Sequence, residues 1–588
     1  MSAEIRSLFE TCFERKGCRN VAGPMGGEAL QFHNPAGEFA SDYIKTDAVL
    51  PAEDFTVRVW MRTYACGCNG VCISEAALPG KEGVIDPAKR TPLQAKHGGA
   101  VLTNHPCRVF STGLSLQVNQ PQSYFTVNFK TDAMQEPIQL RGMRQCCDDV
   151  WHLIAVSVAR KGDLCVYCDG KLLRSADISA YAGQSLGAQK IVLGADTQGL
   201  YGLGKVDLAE LSLLEGAVTA EDAAREYEDA AVRALAYEIR SRNLEKTPVF
   251  EGEAAEKLLE KVRETEEKLS LGHAPGALLT ALQAAYEEML LHTVKPDAKL
   301  LVVADTHCAE AGNHRTEAFR NALCWANELG MDGMLHGGDY SQYGRECDFE
   351  GFWNVMRENF KGKPFFLTVG NHETLHNDAQ TLARRQCDWL REFGMVGEDH
   401  KTMYYDGEVN GYHVLTLAQY YDYEVTGYKL MWQFAGKIGR EQLDWIREKL
   451  NAYCGQGKPV FLVIHNSHGP LLEKQTEGGC MSHSKILHGE ELYELMRQYK
   501  DVVLCTGHVH HGLGELAGLF PIDGYHVLDI PGFKNSTYGY GYDESKPDAE
   551  VRHCGYFAYL FGRTVLLRAA DFANRRWLPV YDQLVTLP

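Results

Sequence analysis

The sequence predicts a multidomain chain: an N-terminal β-sandwich, a helical connector and a C-terminal α/β domain. Three changes of texture predict this. Residues 27–216 run as short alternating segments split by Gly, Asn and Asp. Residues 217–297 turn to helical spacing among Glu and Lys. From residue 298 the pattern is apolar strand, loop, amphipathic helix, repeated to residue 588. A length of 588 residues suits several domains. With 45% hydrophobic and 23% charged residues the chain is apolar enough to bury cores, which excludes a disordered protein.

Residues 1–26 are read as a separate N-terminal segment. Phe55–Thr63 (FTVRVWMRT) then alternates as a strand with one buried face. Leu153–Val158 follows Trp151-His152, and the turn Lys161-Gly162-Asp163 leads into Leu164–Cys168. Asp169-Gly170 separates that run from Lys171-Leu172-Leu173, and Gly accepts the positive φ such a hairpin turn needs. Many short strands without helical spacing give a sandwich. Thr219-Ala220-Glu221-Asp222 opens the connector as a helix N-cap with acids in the first turn. Ala255, Leu258, Leu259, Val262 and Leu269 continue with helical spacing until Pro275-Gly276 breaks it, and a further helix runs to about Leu291. Val294-Lys295-Pro296-Asp297 marks a boundary, and helices are expected at Thr316–Leu329 and Arg440–Leu450 beyond it.

In the last region five polar motifs end apolar strands. Asp305-Thr306-His307 follows LLVVA, Gly337-Gly338-Asp339 follows GMLH, and Gly370-Asn371-His372-Glu373 follows PFFLTV. His465 follows PVFLVI, and Gly507-His508-Val509-His510 follows VVLCT. Strand carboxyl ends are where sites assemble in open α/β sheets. Asp, Asn and His without Cys suit Mn, Fe, Zn, Co or Ni. Seven such side chains exceed the need of one ion, and one carboxylate can bridge two, so the set points to a pair of divalent transition metals.

Those five motifs, in that order, resemble the calcineurin-like metallophosphoesterases over about residues 298–570. The resemblance implies a four-layer αββα sandwich. It assigns Asp305, His307, Asp339 and His510 to a first metal, and Asp339, Asn371, His465 and His508 to a second, with Asp339 bridging. It also leaves His372 outside the metal shell, to stabilise charge at phosphorus or to protonate the leaving alkoxide. The implied activity is metal-dependent hydrolysis of a phosphate ester by hydroxide held between the metals. A cyclic-nucleotide or other phosphodiesterase shares the same motifs and stays open. Purple acid phosphatases are disfavoured: Gln342 stands where their GDxxY motif has tyrosine, and His307 stands where they use no histidine. Glu373 is read as orienting His372, and His336 as structural. His468 stands as a substrate contact, an alternative ligand or a loop cap, with His465 preferred as the ligand because it lies closer to the strand end. Tyr538 and Tyr540, in PGFKNSTYGYGYD, are candidates to stack on a substrate, beside an ordinary surface loop as the alternative.

WHLIAVSVARKGDLCVYCDGKLL and the later IVLGADTQGLYGLGKVDLAELSLLEG resemble the concanavalin A-like, laminin-G-type jelly roll over about residues 27–216. That resemblance implies a glycan or protein ligand, or a structural accessory. A binding scaffold with an idle phosphoesterase domain is the rival from another class. Among 18 cysteines, Cys66, Cys68 and Cys72 lack the CxxC spacing and fourth ligand of a common zinc site, so loop thiols are preferred. The net charge of −19 disfavours nucleic acid. No secretory h-region and no run of ~20 apolar residues is seen, so a cytoplasmic protein with reduced thiols is expected.

Overall fold

The computed structural model describes residues 5–34, 40–63, 98–105, 111–119, 124–143, 146, 148–199, 202–377, 379–419, 438–471, 486, 489–514, 516–533 and 553–588. Cys66, Cys68, Cys72, Tyr538 and Tyr540 lie outside the described residues. Two compact units change over between Val294 and Lys295.

In the first unit two antiparallel sheets share one core. Among the described residues they have eight and seven strands. Phe55–Thr63 is central in the first, paired with His152–Val158 on one side and Val206–Glu215 on the other. Its alternation points Phe55, Val57, Val59 and Met61 into a core completed from the second sheet by Ile44, Leu116, Val127 and Phe129. Strands ahead of residue 27 join both sheets: Ile5–Ser7 pairs with Val206–Glu215, and Cys12–Lys16 with Tyr43–Val49. Runs of three to five residues are too short to show alternation, so the sequence leaves them as a separate segment.

Three helices follow, Ala220–Ser241, Gly252–Ser270 and Pro275–Met289. Thr219 caps the first, its Oγ1 accepting from the Asp222 N–H at 3.1 Å. Pro275 occupies the first turn of the third, where its missing N–H costs nothing. The first helix lies on the sandwich, packing Ala223 against Ala155 and Tyr167, and Tyr227 and Ala230 against Trp60 and Leu153.

The second unit layers two mixed sheets between helices. One sheet runs, in spatial order, Phe365–Leu367, Gly333–His336, Ala298–Val303, Cys554–Phe561, Thr564–Asp571 and Arg576–Trp577, with its first three strands parallel. In the other, Tyr412–Thr416, Val460–Val463, Val502–Thr506 and Tyr525–Asp529 are parallel neighbours. Helices His314–Glu328 and Glu346–Asn359 cover the first sheet, through Phe319 stacked on Phe352 at 5.1 Å and Trp325 against Phe557. Arg440–Tyr453 and Glu490–Met496 cover the second, through Ile446, Leu450, Leu495 and Met496. Parallel strands put all their carboxyl ends at one edge, which gathers the five motifs. Among the described residues no helix is long and apolar enough to cross a membrane.

One buried ion cluster ties the sandwich hairpin. His152 Nδ1 lies 2.7 Å from Asp169 and Nε2 lies 2.7 Å from Asp148. Burial opposes the charged imidazole, but the two carboxylates outweigh it and raise its pKa well above the usual 6.5. A raised histidine pKa stabilises the fold fully below about 6.5, and that contribution is lost as pH climbs through the folded-state value. Hydrogen exchange in strand His152–Val158 is therefore expected to speed up, once corrected for intrinsic rates, as pH rises from 6.5. In His152→Gln this pH dependence should flatten; an unchanged slope would assign it to other groups.

Candidate metal centre

The donor side chains stand on turns the backbone does not adopt freely. Asp305, His307, Asp339, His508 and His510 all have left-handed φ, between +44° and +78°. Such residues cost about 1–3 kcal/mol each and gather at functional sites. The turns are held by a ladder between two loops: the N–H groups of Asp305, His307 and Cys308 donate at 2.9 Å to the carbonyls of Gly338, Asp339 and Tyr340. The His508 N–H donates to both carboxylate oxygens of Asp305, at 3.2 and 3.0 Å. Two glycines give clearance. A Cβ on Gly370 would lie 2.1 Å from Asp339 Oδ1, and one on Gly338, whose φ is +89°, would lie 2.7 Å from His465 Nδ1.

All seven candidate ligands converge. Around Asp339 Oδ2, His307 Nε2 lies at 3.7 Å; His307 Nε2 is 3.1 Å from His510 Nε2, which is 3.2 Å from Asp305 Oδ1. Around Asp339 Oδ1, His465 Nε2 lies at 3.4 Å, and is itself 3.1 Å from both Asn371 Oδ1 and His508 Nδ1. The titratable members fall into two groups whose ligand atoms all lie within 4.8 Å of one another, Asp305, His307, Asp339 and His510 in one, Asp339, His465 and His508 in the other. These spacings fit a cation. Donors held at ~2.0–2.2 Å from one ion stand roughly 2.8–3.1 Å apart at octahedral right angles and roughly 3.3–3.6 Å apart in tetrahedral geometry. Each oxygen of Asp339 faces a different group, as a bridging ligand would.

Electrostatics agree with this arrangement. Burial alone would raise the Asp339 carboxyl, but His465 and His372 beside it outweigh burial and hold it far below the carboxylate range. Burial would lower His465; the Asp339 charge and hydrogen bond overcome this and raise it to about 9. His508, buried beside His465, is pushed well below 6.5. His465 Nδ1 lies 2.7 Å from the Gly337 carbonyl, which leaves Nε2 aimed at the donor group.

The remaining candidates divide. His372 Nδ1 lies 2.5 Å from the Gln342 carbonyl, and Nε2 sits 3.9 Å from Asp339 Oδ2. Glu373 does not act as read from sequence. Its carboxylate accepts instead from the N–H groups of Asp339 (3.1 Å), Ser341 (2.7 Å) and Gly370 (2.7 Å), and from Ser341 Oγ (2.9 Å). It fixes the turn that carries Asp339, while a backbone carbonyl orients His372. His468 turns away, with Nε2 at 2.5 Å from the Tyr525 hydroxyl and Nδ1 accepting from the Leu471 N–H at 3.1 Å, so it caps a loop. His336 is structural, between Thr306 Oγ1 and the Gly338 N–H. Sequence reading missed the Gln342 carbonyl and the buried His511–Asp529 pair (2.7 Å), which anchors the loop after Val502–Thr506. A main-chain acceptor has no residue-type signal, but a second histidine directly after His510 was visible.

Buried Asp and His at the ends of parallel strands, sharing one carboxylate, make a candidate metal centre. The family model described as calcineurin-like phosphoesterase matches residues 298–512, and the second unit carries a domain of that family. No curated protein matches the chain. Among solved structures, it is similar to a dimetal phosphatase from Danio rerio, at 14% identity over 50% of this chain and 100% of that one, with a TM-score of 0.37. It is also similar to the binding domain of botulinum neurotoxin DC solved with SialylT (10% identity, 39% of this chain and 47% of that chain, TM-score 0.25). A third is the binding domain of Paraclostridial mosquitocidal protein 1 (11%, 39% and 48%, TM-score 0.26).

Removing the Glu373 carboxylate strands three buried N–H groups around Asp339. Glu373→Ala is expected to weaken metal affinity about 10–100-fold, measured by chelator competition on protein whose folding is verified by circular dichroism. Native affinity in that variant would show that the turn holds without it.

Proposed function

We propose that the protein hydrolyses a phosphate mono- or diester at a pair of divalent transition metals. The observation that carries this reading is the division of Asp339: one oxygen faces His307 and the Asp305–His510 pair, the other faces His465 and through it Asn371 and His508. The first metal would be held by Asp305, His307, Asp339 and His510, and the second by Asp339, Asn371, His465 and His508. Two bound cations at this spacing would acidify water and clamp the phosphoryl oxygens.

The chain's own residues do the rest. Burial keeps bulk water from the donors. The ladder between residues 305–308 and 338–340 fixes them without waiting for substrate. His372 presents Nε2 toward the centre because its Nδ1–H is committed to the Gln342 carbonyl; in the imidazolium form Nε2–H passes its proton to the leaving alkoxide and the ring is left neutral with Nδ1–H still in place. We read the first unit as a binding or structural accessory. A cavity of about 560 Å³ lined by Arg58, Trp60, Glu210, Arg225 and His273, among others, supports a ligand there. The described cysteines are thiols, which suits the cytoplasm.

Metal analysis and turnover of phenyl phosphate, whose basic leaving oxygen gains from a proton, separate the roles. Asp339→Ala is expected to lose metal and activity together. His372→Ala should keep the native metal content and lose roughly 10²–10⁴-fold in kcat. Full activity in either variant would overturn the assignment, and fewer than two equivalents of Mn, Zn, Fe, Co or Ni in the reconstituted native protein would overturn the pair.

A further inference from the structure

An aromatic ring stands exposed beside the proposed proton donor. Among the described residues of the second unit, Tyr343 is the one aromatic that ranks as exposed, at 42%. Its ring centroid lies 6.5 Å from that of His372, with the planes inclined by 31°. The aromatic rings of Tyr340, Phe349, Phe352 and Trp353, close by in sequence, are all buried.

The ring is presented on a rigid mount. The Tyr343 N–H donates to Asp348 Oδ2 at 3.0 Å. Gly344, next in sequence, has φ of +71° and donates to Ser341 Oγ at 3.1 Å. A Cβ there would lie 2.7 and 2.8 Å from the carbonyl oxygens of Glu373 and His372, so this loop sits directly on the turn carrying the proton donor. Asn377 Nδ2 closes the contact, donating to the Gly344 carbonyl at 2.8 Å. The Arg345 guanidinium lies 4.9 Å from the Tyr343 ring centroid, and Asp348 fixes it by contacts of 3.1 and 2.9 Å. The ring is thus held before substrate arrives, and little ordering entropy remains to be lost on contact.

We propose that Tyr343 is a specificity residue that stacks on the leaving group, and that the substrates are esters whose leaving group carries a planar aromatic ring, aryl or nucleobase. This rests on the phosphoesterase reading and on His372 as proton donor. The leaving oxygen must lie at His372 Nε2, so a ring beside His372 meets the alcohol side of the ester rather than the phosphoryl side. An exposed aromatic gains most by covering another flat apolar face.

Two assays on the metal-loaded full chain separate this proposal from the reading beneath it. Calorimetry with phenylphosphonate and ethylphosphonate, neither of which is hydrolysed, measures stacking without turnover. The phenyl-to-ethyl affinity ratio is expected to fall about tenfold in Tyr343→Ala and to return in Tyr343→Phe. A ratio unchanged in Tyr343→Ala, including one where both affinities fall together as a purely structural role would give, overturns the proposal. Turnover of phenyl phosphate, adenosine 5′-monophosphate and glycerol 3-phosphate is the second assay. Preference for the first two that collapses in Tyr343→Ala supports stacking, and their relative loss tells aryl from nucleobase. Absence of all turnover with the phenyl preference intact would sink the phosphoesterase reading while leaving the stacking surface standing.

Discussion

The second unit is organised around a single buried carboxylate with two different sides. Asp339 faces a histidine with each oxygen. Burying an anion costs several kcal/mol unless it is compensated, and here the compensation comes from both sheets at once. Asp305, His307, Asp339 and Asn371 follow strands of the first sheet, whereas His465, His508 and His510 follow strands of the second. Neither sheet alone could complete either donor group, since the first group needs His510 and the second needs Asp339. The pairing of two mixed sheets is what lets two sets of strand ends meet.

That meeting requires sharp turns, and the turns explain the local irregularities. A strand that simply continued would carry its side chains to alternate faces. A left-handed residue reverses the direction of the side chain within one or two positions, and five of the seven donors use one. The strain is tolerated because neighbouring turns are paired like strands, through the N–H groups of residues 305, 307 and 308, and because Glu373 collects three more N–H groups beneath Asp339. Each turn is over-determined by its neighbours, and the donors stay in place without relying on their own side-chain preferences.

Much of this was legible from sequence because the signals are local. Phe55–Thr63 was read to its ends, but it is not the strand with one buried face that alternation predicts: Thr56 and Trp60 on its outer side are buried too, Trp60 because helix Ala220–Ser241 packs Tyr227 and Ala230 there. The donors each follow an apolar strand, four with a glycine before or within the motif, and those combinations survive in a linear reading. What could not be read depends on partners distant in the chain. Glu373 lies next to His372 and invites a local role, yet its acceptor capacity is spent on Asp339, Ser341 and Gly370. His465 and His468 are alike in type and three residues apart. Only the approach of Tyr525, 57 positions on, sends the second one away. Strands before residue 27 pair with partners up to about 200 positions downstream and are too short to carry a period.

Two histidines near the same carboxylate show how finely position sets charge. His465 touches Asp339 and is raised to about 9, while His336, deprived of water and beside that same His465, is lowered to about 3. Geometry agrees: His336 Nδ1 accepts from the Gly338 N–H, so it carries no proton there, and Nε2 is left to donate to Thr306 Oγ1. His508, also beside His465, is likewise driven toward the neutral form. Positive charge therefore reaches the His508 position without a proton, on a ring that offers a lone pair. A neutral imidazole is the form that binds a divalent cation. The crowding that keeps His508 neutral therefore prepares it as a ligand, with Asp339 as the negative charge beside it.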